Sequence, residues 1–196
     1  YHKDSPLNLN KLSEYCPFNV INERTRMKGV MTPYIYLGKC HTFFPYHRED
    51  MNFYATNHLL FGNTKIWYCI KPCDYSKVMK FVRLQYTDDY TQNCETPMQH
   101  KLYWFDPYIL LCLGIKVFFI EQKVGDIVIT PPCGIHVGLN TGVNLAESIN
   151  FMTFEGNNCW KRILDASLYM MHNIKCDICP NHIFLDVNRL AKRIRE

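Results

Sequence analysis

Short runs of apolar and aromatic residues, separated by polar turns, dominate the chain between residues 30 and 154. Strand-like runs occupy residues 30–37, 40–44, 53–61, 64–70, 117–120, 126–130, 135–139 and 145–154. The dipeptide Gly62-Asn63 between two of these runs is a good hairpin turn, so we expect a hairpin there. Many short strands with turn signals predict a β-barrel or jelly roll. A parallel α/β sheet is not expected, because helices do not alternate regularly with the strands.

Helical periodicity appears in four places. Residues 72–86 repeat apolar side chains at helical spacing behind a proline, and Asp106-Pro107 opens a second short helix that ends near Gly114. Two further helices are predicted at residues 158–172 and 187–195. We therefore predict one domain over residues 1–196, with a jelly-roll core at about 29–155 and a helical C-terminal part at 156–196.

Composition and charge narrow the class of protein. The chain has 196 residues, 47% hydrophobic and 20% charged, which fits a single globular domain. Its net charge of +4 permits a polyanionic neighbour such as chromatin but does not require one. The longest apolar run, 108–120, is too short for a membrane span and contains Gly114 and Lys116, so no membrane partner is expected.

The cysteines and the first residues bear on the compartment. Residues 1–10 are polar, so we expect no signal peptide, and the missing initial methionine suggests a fragment of a longer protein. Ten cysteines without signs of export predict a reduced cytoplasmic or nuclear compartment, in which some cysteines can bind metal.

Two histidines and a glutamate form a candidate metal site. His47 and Glu49 are two apart just after a strand-like run, and side chains at that spacing on an extended segment point to the same face. His136 follows much later, after the Gly125-Asp126 turn. Two imidazoles and one carboxylate match the facial triad of non-haem Fe(II) oxygenases. A His-x-Glu triplet also arises by chance, and a lone histidine is often a surface or core residue.

Asn57 and Lys65 lie eight residues apart on the next two strand-like runs. A lysine between apolar strand residues either extends its ammonium to solvent or pairs with a buried anion. A dicarboxylate cosubstrate would supply that anion.

In this order and at these spacings, the motifs resemble those of the jumonji-C (JmjC) oxygenases. The resemblance is to the histone lysine demethylases that use a His-x-Glu triad and carry an additional zinc site. It covers about residues 29–180 and rests on residues 29–38, 47–51, 57–68, 125–131 and 136–151. It implies a mainly β fold, the double-stranded β-helix (a cupin-like jelly roll) of a single JmjC catalytic domain with inserted and C-terminal helices.

The resemblance assigns roles to particular residues. It implies that the catalytic Fe(II) is held by His47, Glu49 and His136. It implies that 2-oxoglutarate chelates the iron and is bound by Asn57, Lys65, Phe44 and Trp67. It implies a methyl-lysine pocket formed by Tyr36, Gly29, Ser148, Ile149 and Asn150. Ile149 stands where some relatives carry a hydroxyl side chain, which would make this pocket more apolar.

A zinc site is the second part of the resemblance. Its implied ligands are Cys94, His100, Cys176 and Cys179, a set that would close a tetrahedral Zn(II) site. Cys176 and Cys179 are spaced as CxxC, whereas the family has a CxC-like pair. His182, just after them, is an alternative candidate for a zinc ligand. A redox role for the CxxC would need a thioredoxin-like context, which is missing.

The function implied is oxidative demethylation of methyl-lysine on histone tails in the nucleus, giving formaldehyde and succinate. The implied partners are a methylated histone tail peptide and the nucleosome or chromatin, with a JmjN-like segment on a separate or missing N-terminal part. The alternatives are a JmjC hydroxylase acting on a non-histone protein and a non-catalytic JmjC chromatin scaffold. Scaffolds typically lose a metal ligand or the cosubstrate lysine, and this chain keeps both. A metal-dependent cupin isomerase is a remote fourth alternative.

Overall fold

The computed structural model describes residue 5, residues 8–15, residue 30 and residues 32–151. The strands are β1 (Tyr34–Gly38), β2 (Phe43–His47), β3 (Tyr54–Gly62), β4 (Lys65–Ile70), β5 (Val117–Gln122), β6 (Ile127–Thr130), β7 (Ile135–Asn140) and β8 (Asn144–Phe151). The helices are α1 (Asn10–Tyr15), α2 (Tyr75–Gln85), α3 (Asp89–Asn93) and α4 (Pro107–Cys112). None of these helices is long and apolar enough to cross a bilayer. The helices predicted at 158–172 and 187–195 lie outside the described residues.

The strands form two four-stranded antiparallel sheets. Sheet I has the order β1-β8-β3-β6 and sheet II the order β2-β7-β4-β5. Consecutive strands mostly alternate between the sheets, as in a jelly roll. The predicted mainly β, cupin-like fold is therefore confirmed.

The hairpin expected at Gly62-Asn63 is wrong. β3 pairs with β6 and β8 in sheet I, whereas β4 pairs with β5 and β7 in sheet II. Gly62 has a φ of +94°, and the Asn63 N–H donates to the carbonyl of Val143 at 2.8 Å, so the turn carries the chain from one sheet to the other. The sequence signals a tight reversal correctly, but a turn motif does not specify whether its flanking strands share a sheet.

The two faces of β7 explain how the layers are arranged. Ile135 and Val137 are fully buried against the helical layer outside sheet II, while the alternate residues His136, Gly138 and Asn140 face the space between the sheets. The apolar layer also contains Tyr46, Ile70, Val78, Met79, Val82, Met98, Tyr103, Phe105, Leu110 and Ile115. The outer face of sheet II is thereby covered by helices and loops, and its inner face is free to carry polar side chains.

Gly138 lies where an aromatic ring crosses the strand. A Cβ atom at this position would meet Cζ of Phe44 at 2.3 Å and the carbonyl oxygen of Ile66 at 2.5 Å. Real Cβ atoms do not approach other atoms so closely, and one of these contacts is with backbone. Glycine is therefore required at this point by packing.

We expect Gly138→Ala to lower the free energy of unfolding by about 3 kcal/mol, because the added methyl group overpacks a rigid sheet. The matched control is Gly114→Ala, where a Cβ would meet nothing within 4 Å but φ is +71°. That change should cost about 1 kcal/mol through left-handed backbone strain alone. Urea unfolding measures both, and equal losses in the two variants would contradict the packing explanation.

Candidate functional site

The inner face of sheet II carries three rows of side chains, set by the register of its strands. β7 and its two neighbours, β2 and β4, align His47 with His136, Phe44 with Gly138, and Lys65 with Asn140. Trp67 is also aligned with Gly138, so an aromatic row separates the histidine row from the lysine row. Adjacent rows are two residues apart, or roughly 7 Å along the strand.

The histidine row and Glu49 bring three metal-binding atoms together. Nε2 of His136 lies 3.0 Å from Oε1 of Glu49, and Nε2 of His47 lies 3.8 Å from the same oxygen. All three donor atoms lie within 4.8 Å of one another, and both histidines are buried. The structure therefore brings together His47, Glu49 and His136, the three residues of the candidate metal site in the sequence.

Hydrogen bonds orient two of these donors. Nδ1 of His47 lies 2.8 Å from the carbonyl oxygen of Pro45, which can only accept, so Nδ1 carries the proton and Nε2 presents its lone pair. The side-chain amide of Asn150 donates to Oε2 of Glu49 at 3.1 Å, which leaves Oε1 facing the two imidazoles. Such partners of ligating groups fix ring and carboxylate orientation in metal sites.

The protonation states also suit a cation. Burial holds the pKa of His47 well below its usual range, and His136 lowers it further, so His47 is neutral at physiological pH. Burial alone would raise the pKa of Glu49, but the hydrogen bond and charge interaction with His136 keep it well below its usual range. A buried carboxylate that stays ionised beside two imidazole nitrogens forms a donor set for a divalent metal such as Fe(II). The residues present therefore fit the iron that the sequence predicted.

A β-bulge aims His47 at this cluster. Between the pairs Phe44–Gly138 and His47–His136, β2 has one residue more than β7. An extra residue on one strand bends it and redirects the side chains that follow, and bulges are common beside active sites. The sequence predicted this strand at 40–44, so the end of β2 at His47 is a correction.

The donor cluster opens into a cavity of about 330 Å³ between the two sheets. Phe44 and Trp67 contact each other with ring centroids 4.7 Å apart, and Trp67 lies 5.9 Å from the ring of His136. The indole N–H of Trp67 donates to Oε1 of Gln122 at 2.8 Å, and the amide of Gln122 donates to the carbonyl of Asn57 on sheet I at 2.7 Å. Gln122, which is completely buried, thus joins the two sheets behind the aromatic wall.

Lys65 lies at the far end of the same cavity and is only 4% exposed, so it does not extend to solvent. Its ammonium donates to Oδ1 of Asn140 at 2.6 Å, and Asn144 donates to the same oxygen at 2.9 Å. Burial lowers the pKa of Lys65 to about 8. Among the described residues, the ammonium has a neutral hydrogen-bond partner and no carboxylate partner, so it is suited to bind an anion.

The predicted substrate residues are mostly at the cavity. Tyr36, Ser148 and Asn150 line it, as does Asn57, whose buried Oδ1 has no hydrogen-bond partner within the described ranges. Ile149 does not line the cavity. Because side chains alternate along a strand, its fully buried side chain lies on the face of β8 opposite to that of Ser148 and Asn150. Gly29 lies outside the described residues.

The predicted zinc ligands can be placed only in part. Cys94 follows α3 and is 4% exposed, and His100 ends a short 3-10 turn and is 8% exposed. Cys176, Cys179 and the substitute ligand His182 lie outside the described residues. The zinc site therefore stays a prediction.

Two residues that line the cavity, Asn140 and Lys101, and one that supports its aromatic wall, Gln122, were missed in the sequence analysis. Asn140 lies four residues after His136, so strand alternation alone would have placed it on the same face. Gln122 pairs with Lys65 across the sheet, which requires knowledge of the strand register. Lys101 lines the cavity from a loop, with a left-handed φ of 57° and its ammonium 3.7 Å from Asp50, and no local pattern would have indicated it.

Comparison with known proteins agrees with this geometry. A family profile described as "JmjC domain, hydroxylase" matches residues 34–151. Lysine-specific demethylase 4B of Mus musculus is 40% identical over 129 residues, which is 66% of this chain and 12% of that protein. Lysine-specific demethylase 4D of Rattus norvegicus is 37% identical over 127 residues, 65% of this chain and 25% of that protein. The probable lysine-specific demethylase 4F of Homo sapiens is 36% identical over 127 residues, 65% of this chain and 20% of that protein. The chain thus spans a quarter or less of the length of these relatives.

Proposed function

This chain belongs to the JmjC domain family of hydroxylases, and on that basis we propose that it catalyses Fe(II)- and 2-oxoglutarate-dependent demethylation of methyl-lysine on histone tails. One observation carries the proposal: a cluster of metal donors and a buried lysine lie at opposite ends of a single cavity, with an aromatic row between them. Three relatives named as lysine demethylases support the substrate class.

In this proposal, His47, Glu49 and His136 hold the iron, which supplies oxidation of an N-methyl group with O₂ and 2-oxoglutarate as cosubstrates. Lys65 pairs with the distal carboxylate of 2-oxoglutarate, and Oδ1 of Asn140 accepts a hydrogen bond from the ammonium and so orients it. Asn57 offers an amide near the metal, and Phe44 and Trp67 exclude water between the two ends of the cosubstrate. The products are succinate, carbon dioxide, formaldehyde and a lysine with one methyl group fewer.

The cavity mouth suits a methylated ammonium. Burial raises the pKa of Tyr36, and the nearby carboxylates of Glu49 and Asp50 raise it further, so the phenol is neutral and lies in a negative environment. An aromatic face beside carboxylates attracts a quaternary or tertiary ammonium group. Ser148 and Asn150 complete the polar lining of this end. Ile149 is left out of the proposed pocket because of its orientation.

The remaining parts of the proposal concern the protein as a whole. We place it in the nucleus, acting on the tails of nucleosomes, with a JmjN-like segment on a separate or further N-terminal part. The jelly roll is the catalytic core of one JmjC domain whose C-terminal part, 156–196, contributes to a zinc site. Cys94 and His100 would supply two zinc ligands from the described residues, and Cys176 and Cys179 the other two.

The activity is tested with purified chain, Fe(II), 2-oxoglutarate and histone tail peptides carrying mono-, di- or trimethyl-lysine. We expect succinate, formaldehyde and peptide products that have each lost a methylene mass. His136→Ala should lose at least 100-fold in rate, because one of three metal donors is removed. A product that has gained one oxygen mass instead would indicate a hydroxylase, and 2-oxoglutarate binding without turnover of any peptide would support a scaffold.

The pKa of Lys65 predicts how cosubstrate binding depends on pH. Only the protonated ammonium pairs with a carboxylate, and its protonated fraction falls as pH rises through about 8. The affinity for 2-oxoglutarate, measured by calorimetry with Mn(II) in the metal site, should be constant below pH about 7 and fall about tenfold per pH unit well above 8.

Lys65→Arg is the matched control, since a guanidinium stays charged throughout this range. Its affinity, whatever its absolute value, should not fall between pH 7 and about 9. The same decline in wild type and Lys65→Arg would assign the pH dependence to another group. Lys65→Met should weaken binding by about 100-fold at neutral pH.

Zinc content tests the second metal site separately. Elemental analysis after dialysis against a chelator should find one zinc per chain in the wild type and markedly less in Cys94→Ala or Cys179→Ala, because each change removes a thiolate from a site built on four protein ligands. Cys73→Ala removes an exposed cysteine and should retain the zinc. Full zinc content in Cys94→Ala would refute the assignment.

A further inference from the structure

Arg48 lies between two of the proposed metal ligands but does not line the cavity. On an extended segment its side chain points away from the face shared by its neighbours His47 and Glu49. Its side chain is partly buried among three elements: the end of β2, the turn before β7 and the start of α2.

The first contact joins Arg48 to the turn that precedes β7. Its Nε–H donates to the carbonyl oxygen of Cys133 at 3.1 Å, across 85 positions of sequence. Cys133 has a left-handed φ of 61°, a conformation that non-glycine residues adopt only when their surroundings hold them there. His136 follows three residues later, so the path of this turn determines the backbone position of His136 and hence the placement of its imidazole.

The second contact anchors Arg48 to the helical layer. Its guanidinium carbon lies 3.4 Å from the centroid of the Tyr75 ring, a stacked cation–π arrangement. Tyr75 is the first residue of α2, which is held in the core by the buried side chains of Val78, Met79 and Val82. Arg48 thus packs on α2, which is anchored in the core, and its hydrogen bond to Cys133 holds the turn before β7 against that helix.

The backbone supports β7 fully on its β4 side, where Ile135 and His136 pair with Ile70 and Cys69, but only in part on its β2 side. The register between β2 and β7 shifts between Phe44 and His47. Of the two residues between them, Pro45 has no N–H to donate, and the N–H of Tyr46 donates to the carbonyl of Tyr103 rather than to β7. The regular ladder between the two histidine-bearing strands is therefore interrupted beside the metal donors. The Arg48–Cys133 hydrogen bond is a side-chain link across this gap.

We propose that Arg48 is a positioning residue for the metal centre: it holds the turn at Cys133 against α2 and so keeps His136 aligned with His47 and Glu49. The inference rests on the proposed metal-binding function and extends it to a residue that touches neither the metal nor the cosubstrate. Loss of the link lets the start of β7 shift, which weakens metal binding without removing a ligand.

The test measures Co(II) binding by competition with a chelator, together with the visible absorption spectrum of the bound Co(II). The cavity site is defined as the Co(II) binding that His136→Ala abolishes. Arg48→Met keeps an unbranched apolar stem over Tyr75 but removes the donor, and should weaken that binding by about tenfold or more and alter the spectrum. Arg48→Lys, which keeps a cation and a donor without the planar fork, should lie between Arg48→Met and wild type.

The control variant is Lys116→Met, which also removes a cation resting on an aromatic ring, here Phe118 at 4.9 Å, but has no link to β7. It should bind Co(II) as wild type does.

If Arg48→Met does not fold, Arg48→Lys and Tyr75→Leu carry the test, and each should show weaker Co(II) binding at a temperature well below its Tm. Wild-type affinity and spectrum in the folded Arg48 variants would overturn the inference alone. Absence of any Co(II) binding sensitive to His136→Ala in the wild type would instead overturn the proposed function.

Discussion

The site depends on one strand, β7, whose two faces are both buried, one of them apolar and the other polar. β7 can place His136, Gly138 and Asn140 inside the molecule only because Ile135 and Val137 on its other face pack against the helices. Burial of such aliphatic side chains contributes about 1.5–3 kcal/mol each. A buried polar group without a partner costs a comparable amount. Partners for these polar atoms reduce that cost: Glu49 faces Nε2 of His136, and Lys65 donates to Oδ1 of Asn140.

Two opposite charges share the cavity without neutralising each other. The Glu49 carboxylate belongs to the histidine row and the Lys65 ammonium to a row four residues further along the sheet, with Phe44 and Trp67 between them. A bound cation would offset the buried charge of Glu49, and a bound anion would offset that of Lys65. A metal-bound dicarboxylate meets both needs at once, because its keto-acid end binds the cation while its far carboxylate reaches the lysine. The electrostatics of the cavity thus favour this cosubstrate class independently of the family resemblance.

Much of this arrangement follows from local sequence patterns, and the rest depends on long-range pairing. The motifs led to the correct family and fold, and the two-residue spacing of His47 and Glu49 brought both to one face. The same alternation rule would have turned Ile149 away from Ser148 and Asn150, so that assignment followed the resemblance against the local physics. The sheet change at Gly62, the bulge before His47 and the approach of Lys101 could not be predicted, because each depends on which strands and loops meet in three dimensions.

Side chains link the two sheets at both ends of the jelly roll, but the Lys65 end also has backbone hydrogen bonds between the turns of the two sheets. At the Lys65 end, backbone hydrogen bonds tie the turns of the two sheets together, from Asn63 to Val143 and from Thr141 to Thr64. At the metal end, the sheets are joined through side chains, with Glu49 receiving Asn150 from sheet I and facing the imidazoles of sheet II. A backbone closure is rigid and suits the fixed grip that a small cosubstrate needs. In the proposed function, a peptide side chain enters at the end that is closed by side chains, where the alignment depends on the metal donors and, in the further proposal, on Arg48.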